Sequence, residues 1–213
     1  MKVLFLGGKT WGACALKILK SIQNSGEVLF EIVGAVTNVS DTETLAYSQN
    51  FIKEAVSLGI PTYIFANQKQ LLELIKEKSP DLAISVFYDK ILSADVINSL
   101  PRGAVNLHMG DAEKYRGCYS TLHTIIDGDT RVGVTLHRID AGIDSGDIIA
   151  KATWDIDQKI SGYELYMQSL QVGMTLLEKE LPNILKGNTK GRPQNNDNAK
   201  HNKKVLPKKI FTS

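Results

Sequence analysis

Sulfur chemistry has little to work with in this chain: its two cysteines, Cys14 and Cys118, lie far apart and outside any CxxC or Cys/His cluster. Neither a disulfide framework nor a zinc site is indicated, no metal ligand is nominated, and a reducing cytoplasm is the expected compartment. Charge of one sign is also scarce. A formal net charge of +2 and a pI near 8.4 are too mild for a nucleic-acid-binding surface, although five lysines fall from Lys200 onward. No nucleic-acid partner is therefore expected. No apolar stretch approaches the ~18 residues that cross a bilayer. The N-terminal run Val3 to Leu6 is too short for a signal-peptide core, so neither membrane insertion nor export is expected. Internal repeats at a solenoid period are missing, and so is low complexity before the tail.

What is present is an ordinary globular composition, 213 residues with 43% hydrophobic content, enough for one sizeable core and one main domain. Short apolar runs alternate with amphipathic stretches. Val3–Leu6 ends in a glycine turn, and Thr10–Ile22 then places Cys14, Leu16, Ile18, Leu19 and Ile22 on a helical stripe. Strands are predicted at Phe30–Thr37, Thr62–Phe65, Leu82–Phe87 and Ala104–Leu107. Helices are predicted at Thr44–Ser57, Gln68–Lys78 and Ser93–Leu100, the last capped by Ser93. This order implies an α/β, doubly wound, mostly parallel sheet covered on both faces.

Beyond it come a polar loop (Gly110–Gly117), a short helix (Ser120–Ile126) and strands at Val132–Ile139 and Asp147–Thr153. A long helix over Ser161–Leu185 opens with the Ser161/Glu164 capping box. Its stripe carries Leu165, Met167, Leu170, Met174, Leu177 and Leu181. The domain is taken as 1–185. Residues 186–213, rich in Gly, Asn, Lys and Pro, read as a polar and basic extension, an extended tail or partner-facing segment.

Gly7-Gly8-Lys9-Thr10 invites a phosphate-loop reading, because a glycine turn before a helix offers backbone N–H groups to an anion. Two details resist it. A P-loop needs glycine where Val3 stands, and a dinucleotide fingerprint needs glycine at Lys9. What survives is a turn at the C-terminal edge of a parallel sheet, where ligands of such folds sit. Lys9 and Trp11 on that turn could reach a phosphate and stack on a ring.

The chemistry-bearing residues lie further along. Alternation along Val105-Asn-Leu-His108 sends Asn106 and His108 to one side of a strand end and Val105 and Leu107 to the other. With Asp144, they supply an amide donor, an imidazole base and a carboxylate, the groups an acyl transfer needs when no covalent nucleophile is used. The plain alternative is a strand end whose polar side chains satisfy the backbone. Cys118 is a rival nucleophile without an obvious base, and His123 and His137 read as structural.

Four blocks in order carry a resemblance: Val105-Asn-Leu-His108, Tyr115-Arg-Gly117, Gly133-Val-Thr-Leu-His137 and Gly142-Ile-Asp-Ser-Gly-Asp-Ile-Ile149. With Ser85–Leu92 and Gly7–Gly12 upstream, the chain over about residues 1 to 185 resembles the folate-dependent formyltransferases. The resemblance implies formyl transfer from N10-formyltetrahydrofolate to a primary amine through a tetrahedral intermediate, with Asn106, His108 and Asp144 as the catalytic trio. It implies a folate slot along Phe87, Tyr88, Ile91 and Leu92 and the loop Ile139, Asp140 and Ile143.

The acceptor side is expected at Gly8, Lys9, Trp11, Met109, Gly110, Asp111, Tyr115, Arg116 and Gly117. Where many relatives follow the histidine with Pro-Ser-Leu-Leu-Pro, this chain has Met109-Gly-Asp-Ala-Glu113, which shifts attention to the amine. The first turn and Tyr115–Tyr119 look more like the nucleotide-sugar N-formyltransferases. The expected acceptor is therefore a nucleotide-linked amino sugar. Glycinamide ribonucleotide is the second choice, a tRNA acceptor is not expected for want of chain length, and a non-catalytic nucleotide- or folate-binding module is the alternative of another class. A homodimer using the C-terminal segment is the expected assembly.

Overall fold

A computed structural model describes residues 1–38 and 50–203. Its main sheet has seven strands in the order β3-β2-β1-β4-β5-β7-β8. Strands β1 (Lys2–Gly7), β2 (Glu31–Asn38), β3 (Thr62–Phe65), β4 (Leu82–Val86) and β5 (Ala104–His108) run parallel. Strands β7 (Arg131–Arg138) and β8 (Ile148–Asp155) join antiparallel beyond β5. The helices are α1 (Lys9–Ser25), α2 (Phe51–Ser57), α3 (Gln68–Lys78), α4 (Ala94–Asn98), α5 (Ser120–Ile126) and α6 (Gly162–Lys186). This is the expected doubly wound, mostly parallel arrangement. No helix among the described residues is long and apolar enough to cross a membrane.

Alternation along the inner strands builds two cores from one sheet. Val3 and Phe5 of β1, Ile84 of β4, and Val105 and Leu107 of β5 pack with Trp11, Leu16, Leu19, Leu177 and Leu181 of α1 and α6. Leu4 and Leu6 turn the other way, onto Leu71, Leu74 and Ile75 of α3 and Val96 of α4. Burial on both faces explains why these strands read as continuous apolar runs.

Local signals behave as the sequence suggests where they are self-contained. Ser161 and Glu164 form the capping box at the start of α6, and the Ser93 hydroxyl accepts from Val96 N–H at the start of α4. The helix expected from Thr44 to Ser57 is seen as α2 from Phe51, capped by Asn50; positions 44–49 lie outside the described residues. Met167 falls off the buried stripe of α6 and is 42% exposed.

Two further differences involve long-range partners. The polar loop Gly110–Gly117 ends in a short strand, β6 (Tyr115–Gly117), which pairs in parallel with β9 (Lys200–Asn202). The C-terminal extension therefore does not hang free over its described part. It lies against its own domain, with Arg192 and Ile148 exchanging backbone hydrogen bonds on the way.

Helix α6 crosses α1 at Gly173, where a Cβ would stand 2.7 Å from Cζ3 of the fully buried Trp11 ring. A ring packed between two helices and the sheet has no room to yield. Gly173→Ala is expected to destabilise the domain by about 1–3 kcal/mol through overpacking. Urea unfolding checks this, and the m-value should stay unchanged.

Candidate active site

At the carboxyl edge of the sheet, side chains from neighbouring strands form a polar row. Ser85 of β4 is in register with Asn106 of β5, which is in register with His137 of β7; one step on, His108 pairs with Thr135. The loop after β7 closes over this row. Its Asp144 adopts a left-handed backbone, φ 48°, and turns its carboxylate back into the row. That loop is knotted by Asp140, which accepts from Gly142 N–H and the Ser145 hydroxyl.

Asp144 is the hub. Its Oδ2 lies 3.3 Å from His108 Nδ1 and accepts from Gly117 N–H at 2.8 Å. Its Oδ1 lies 3.4 Å from His137 Nε2 and accepts from Asn106 Nδ2 at 3.3 Å. Burial pushes such a carboxyl up, but the charge of His108, the bond and charge of His137 and the Gly117 N–H outweigh it. The group is held well below the usual carboxylate range.

The protons can be placed from the partners. His137 Nδ1 is 2.7 Å from the Arg138 carbonyl and so carries a proton, while its Nε2 stands 3.4 Å from Asp144 Oδ1 and 3.2 Å from Asn106 Nδ2. Asn106 Nδ2 thus donates to Asp144 and also touches His137. Both bonds are long, and long bonds are readily exchanged for a better acceptor.

His108 sits between Asp144 and the Tyr115 carbonyl, 2.8 Å from Nε2, an arrangement that a ring carrying both protons satisfies on both sides. Ser120 Oγ is also 3.1 Å from His108 Nε2, so serine, histidine and aspartate line up as in a nucleophilic triad. The Tyr115 carbonyl argues against that use. A triad needs a bare Nε2 facing the hydroxyl, and here the carbonyl already claims its proton.

These groups stand on the wall of a cavity of about 550 Å³, within the range of small-molecule sites. Phe87, Tyr88, Ile91, Leu92, Ile139, Asp140 and Ile143 all line it. Ile91 and Ile143 are 62% and 40% exposed, so they are rim residues rather than core, while Leu92 is buried. Gln68 staples the segment after Phe87 to α3, donating to the Ile91 carbonyl and accepting from Ser93 N–H. Lys9, Phe87, Tyr119 and Asp144, four of the five non-glycine residues with positive φ among the described ones, line this one cavity. Backbone strain concentrated at one place is a mark of a functional site.

The expected acceptor contacts divide. Gly8, Lys9, Met109 and Gly117 line the cavity; Trp11, Gly110, Asp111, Tyr115 and Arg116 do not. Trp11 is fully buried, stacked near Phe87 and edge-on to Tyr166, because its indole serves the α1–α6 packing. Asp111 is paired with Lys151 at 3.0 Å. The Tyr115 hydroxyl is held between Asp127 and Asp129, and burial with those two carboxylates raises its pKa and keeps it protonated. Arg116, 4% exposed, spends its guanidinium on the Ala112 carbonyl, Gln194 and Asn196. At Gly110 a Cβ would stand 2.7 Å from His108 Nε2, so glycine there makes room for the histidine.

Ser120, Tyr119, Thr37 and Asn38, none of them nominated from the sequence, also stand on the cavity wall, as does His137, which the sequence reads as structural. For His137 a signal did exist: it shares the alternation of Val134-Thr-Leu-His137 with Thr135, which faces His108. Using it requires knowing that β7 pairs with β5.

The fold and the polar row together define a doubly wound domain with a candidate site at its carboxyl edge. Residues 1–181 match the family described as formyl transferase, and the chain belongs to that family. It is 29% identical over 202 residues to a methionyl-tRNA formyltransferase of Clostridioides difficile, covering 92% of this chain and 63% of that protein. The chain thus spans less than two thirds of that relative's length. Among solved structures, an N-formyltransferase from Helicobacter canadensis in complex with folinic acid and dTDP-3-aminofucose superposes with TM-score 0.77 at 21% identity, over 94% of this chain and 70% of that one. A glycinamide ribonucleotide transformylase from Symbiobacterium toebii gives 0.76 at 15%, over 88% of each. At such identities the structures show the shared fold.

Because the folded state depresses the Asp144 pKa, its carboxylate adds stability above the unfolded value near 4, which is lost as pH falls below it. The stability gap between wild type and Asp144→Asn should therefore narrow between about pH 5 and 3. Urea titrations of both proteins at the two pH values measure it; a constant gap would contradict the assignment.

Proposed function

We propose that this chain transfers a formyl group from N10-formyltetrahydrofolate to the primary amine of a nucleotide-linked amino sugar, such as dTDP-4-amino-4,6-dideoxyglucose. The observation that carries the reading is the meeting of Asn106, His108 and Asp144 on the wall of a cavity whose other side is an apolar slot. Phe87, Ile91, Leu92 and Ile143 suit a flat heterocycle, with Tyr88 and Asp140 as polar neighbours at its edge.

As the amine adds to the formyl carbon, the formyl oxygen gains negative charge. Asn106 answers it by exchanging one of its long bonds for the oxyanion, a contact whose loss costs on the order of 3 kcal/mol in the barrier. Collapse of the intermediate then breaks the C–N10 bond, N10 taking up a proton to leave as tetrahydrofolate while the attacking amine sheds one. The His108–Asp144 pair, on the cavity wall, can relay that proton to the leaving nitrogen through one water.

The sugar acceptor is favoured by the likeness to the Helicobacter canadensis fold and by the first turn and Tyr115–Tyr119 segment. Glycinamide ribonucleotide is the second reading, favoured by the equally good superposition of the Symbiobacterium toebii enzyme. Offering both amines with N10-formyltetrahydrofolate, and following the absorbance of released tetrahydrofolate, separates the two.

Asn106→Ala and His108→Ala are each expected to lower turnover by roughly 10²-fold or more while the protein still folds and binds folate, with the urea midpoint lowered because each removes a partner of the Asp144 carboxylate. Near wild-type turnover in both variants would leave a binding module without catalysis as the better description.

A further inference from the structure

The left-handed backbone of Asp144 is a conformation that non-glycine residues adopt rarely, so something must hold it. The side chain that does so comes from the C-terminal segment. Gln194 Nε2 donates to the Asp144 carbonyl at 2.9 Å and to the Gly146 carbonyl at 2.7 Å, spending both amide protons on one loop. Its Oε1 accepts from Arg116 Nη2 at 2.6 Å. Every hydrogen-bonding position that fixes the amide's orientation is thereby used.

The segment around Gln194 is pinned on both sides. Arg192 makes two bonds to Glu113, Asn195 N–H donates to the same carboxylate, and Asn196 Oδ1 accepts from Arg116. Further on, β9 pairs with β6, the strand whose Gly117 N–H binds the Asp144 carboxylate. Asp144 is therefore held from two directions by one strap, its carbonyl by Gln194 and its carboxylate by the strand against which the strap ends.

We infer that Gln194 is a positioning residue for the reaction, setting the angle at which Asp144 meets His108; this rests on the formyl-transfer reading above. The strap beyond α6 is thereby part of the active site's support, although none of its residues lines the cavity.

Gln194→Glu tests the idea. It keeps an acceptor for Arg116, so the strap stays tethered, but it replaces both donors with oxygen facing two carbonyls. The expected result is a kcat lowered roughly tenfold to a hundredfold with KM for donor and acceptor unchanged and Tm preserved. Amide exchange at Gly117 should accelerate, because the carboxylate that protects it is no longer held. Wild-type kcat and unchanged Gly117 exchange in Gln194→Glu would overturn the inference, as would a kcat that falls only in step with Tm. Gly117 exchange is read without any substrate, so it decides the positioning role even if wild type formylates neither amine, a result that would count against the proposed function alone.

Discussion

One buried carboxylate organises the site. Asp144, with a side chain 15% exposed, is ionised in a place where burial disfavours charge, and it persists because two imidazoles, an amide and a backbone N–H surround it. Those four partners come from β5, β7 and β6. The same contacts that offset the desolvation cost therefore also fix the relative positions of three elements at the edge of the sheet, and the reacting groups come with them.

That arrangement depends on the way the sheet is built. Parallel strands β1, β4 and β5 all end at one edge, and a glycine turn leads from β1 into α1 there. The antiparallel β7 then runs back from that edge beside β5, and its His137 lies level with Asn106. The loop that follows β7 folds back over the row, which brings Asp144 within reach of both histidines.

Much of the fold is legible in the sequence because its signals are local. The β/α alternation, the glycine after β1, the Ser93 cap and the Ser161/Glu164 box each depend on residues within a few positions of one another. The cavity-lining position of the Phe87–Leu92 stretch is also legible, since an apolar stretch after a central strand has few other places to go. The roles of Arg116, Tyr115 and Asp111 are not. Each is polar and near the trio, and each looks like a ligand contact until its partners are known: Gln194 and Asn196, Asp127 and Asp129, Lys151. Those partners lie 12 to 80 positions away. No periodicity encodes pairings at that distance. The strap is hidden for a related reason: its Gly, Asn and Lys content marks a segment unable to build a core, and that property does not distinguish a free tail from one tied down by hydrogen bonds.

The unusual loop after His108 shows how a sequence difference beside a candidate site can be architectural. Of Met109 to Glu113, only Met109 reaches the cavity wall. Gly110 makes room for the imidazole and accepts from Thr135, Asp111 and Glu113 share Lys151, and Glu113 also takes Arg192 of the strap. Arg192 and Lys151 hold the Glu113 carboxyl below its ordinary range, as expected for a group committed to two cations. The loop's acidic character is thus matched by the strap and by β8, and it ties both to the site. Under the proposed function, selectivity for the amine is better sought on the walls that meet the cavity directly, from Cys118 to Leu122 and at Tyr166, than in the loop that follows His108.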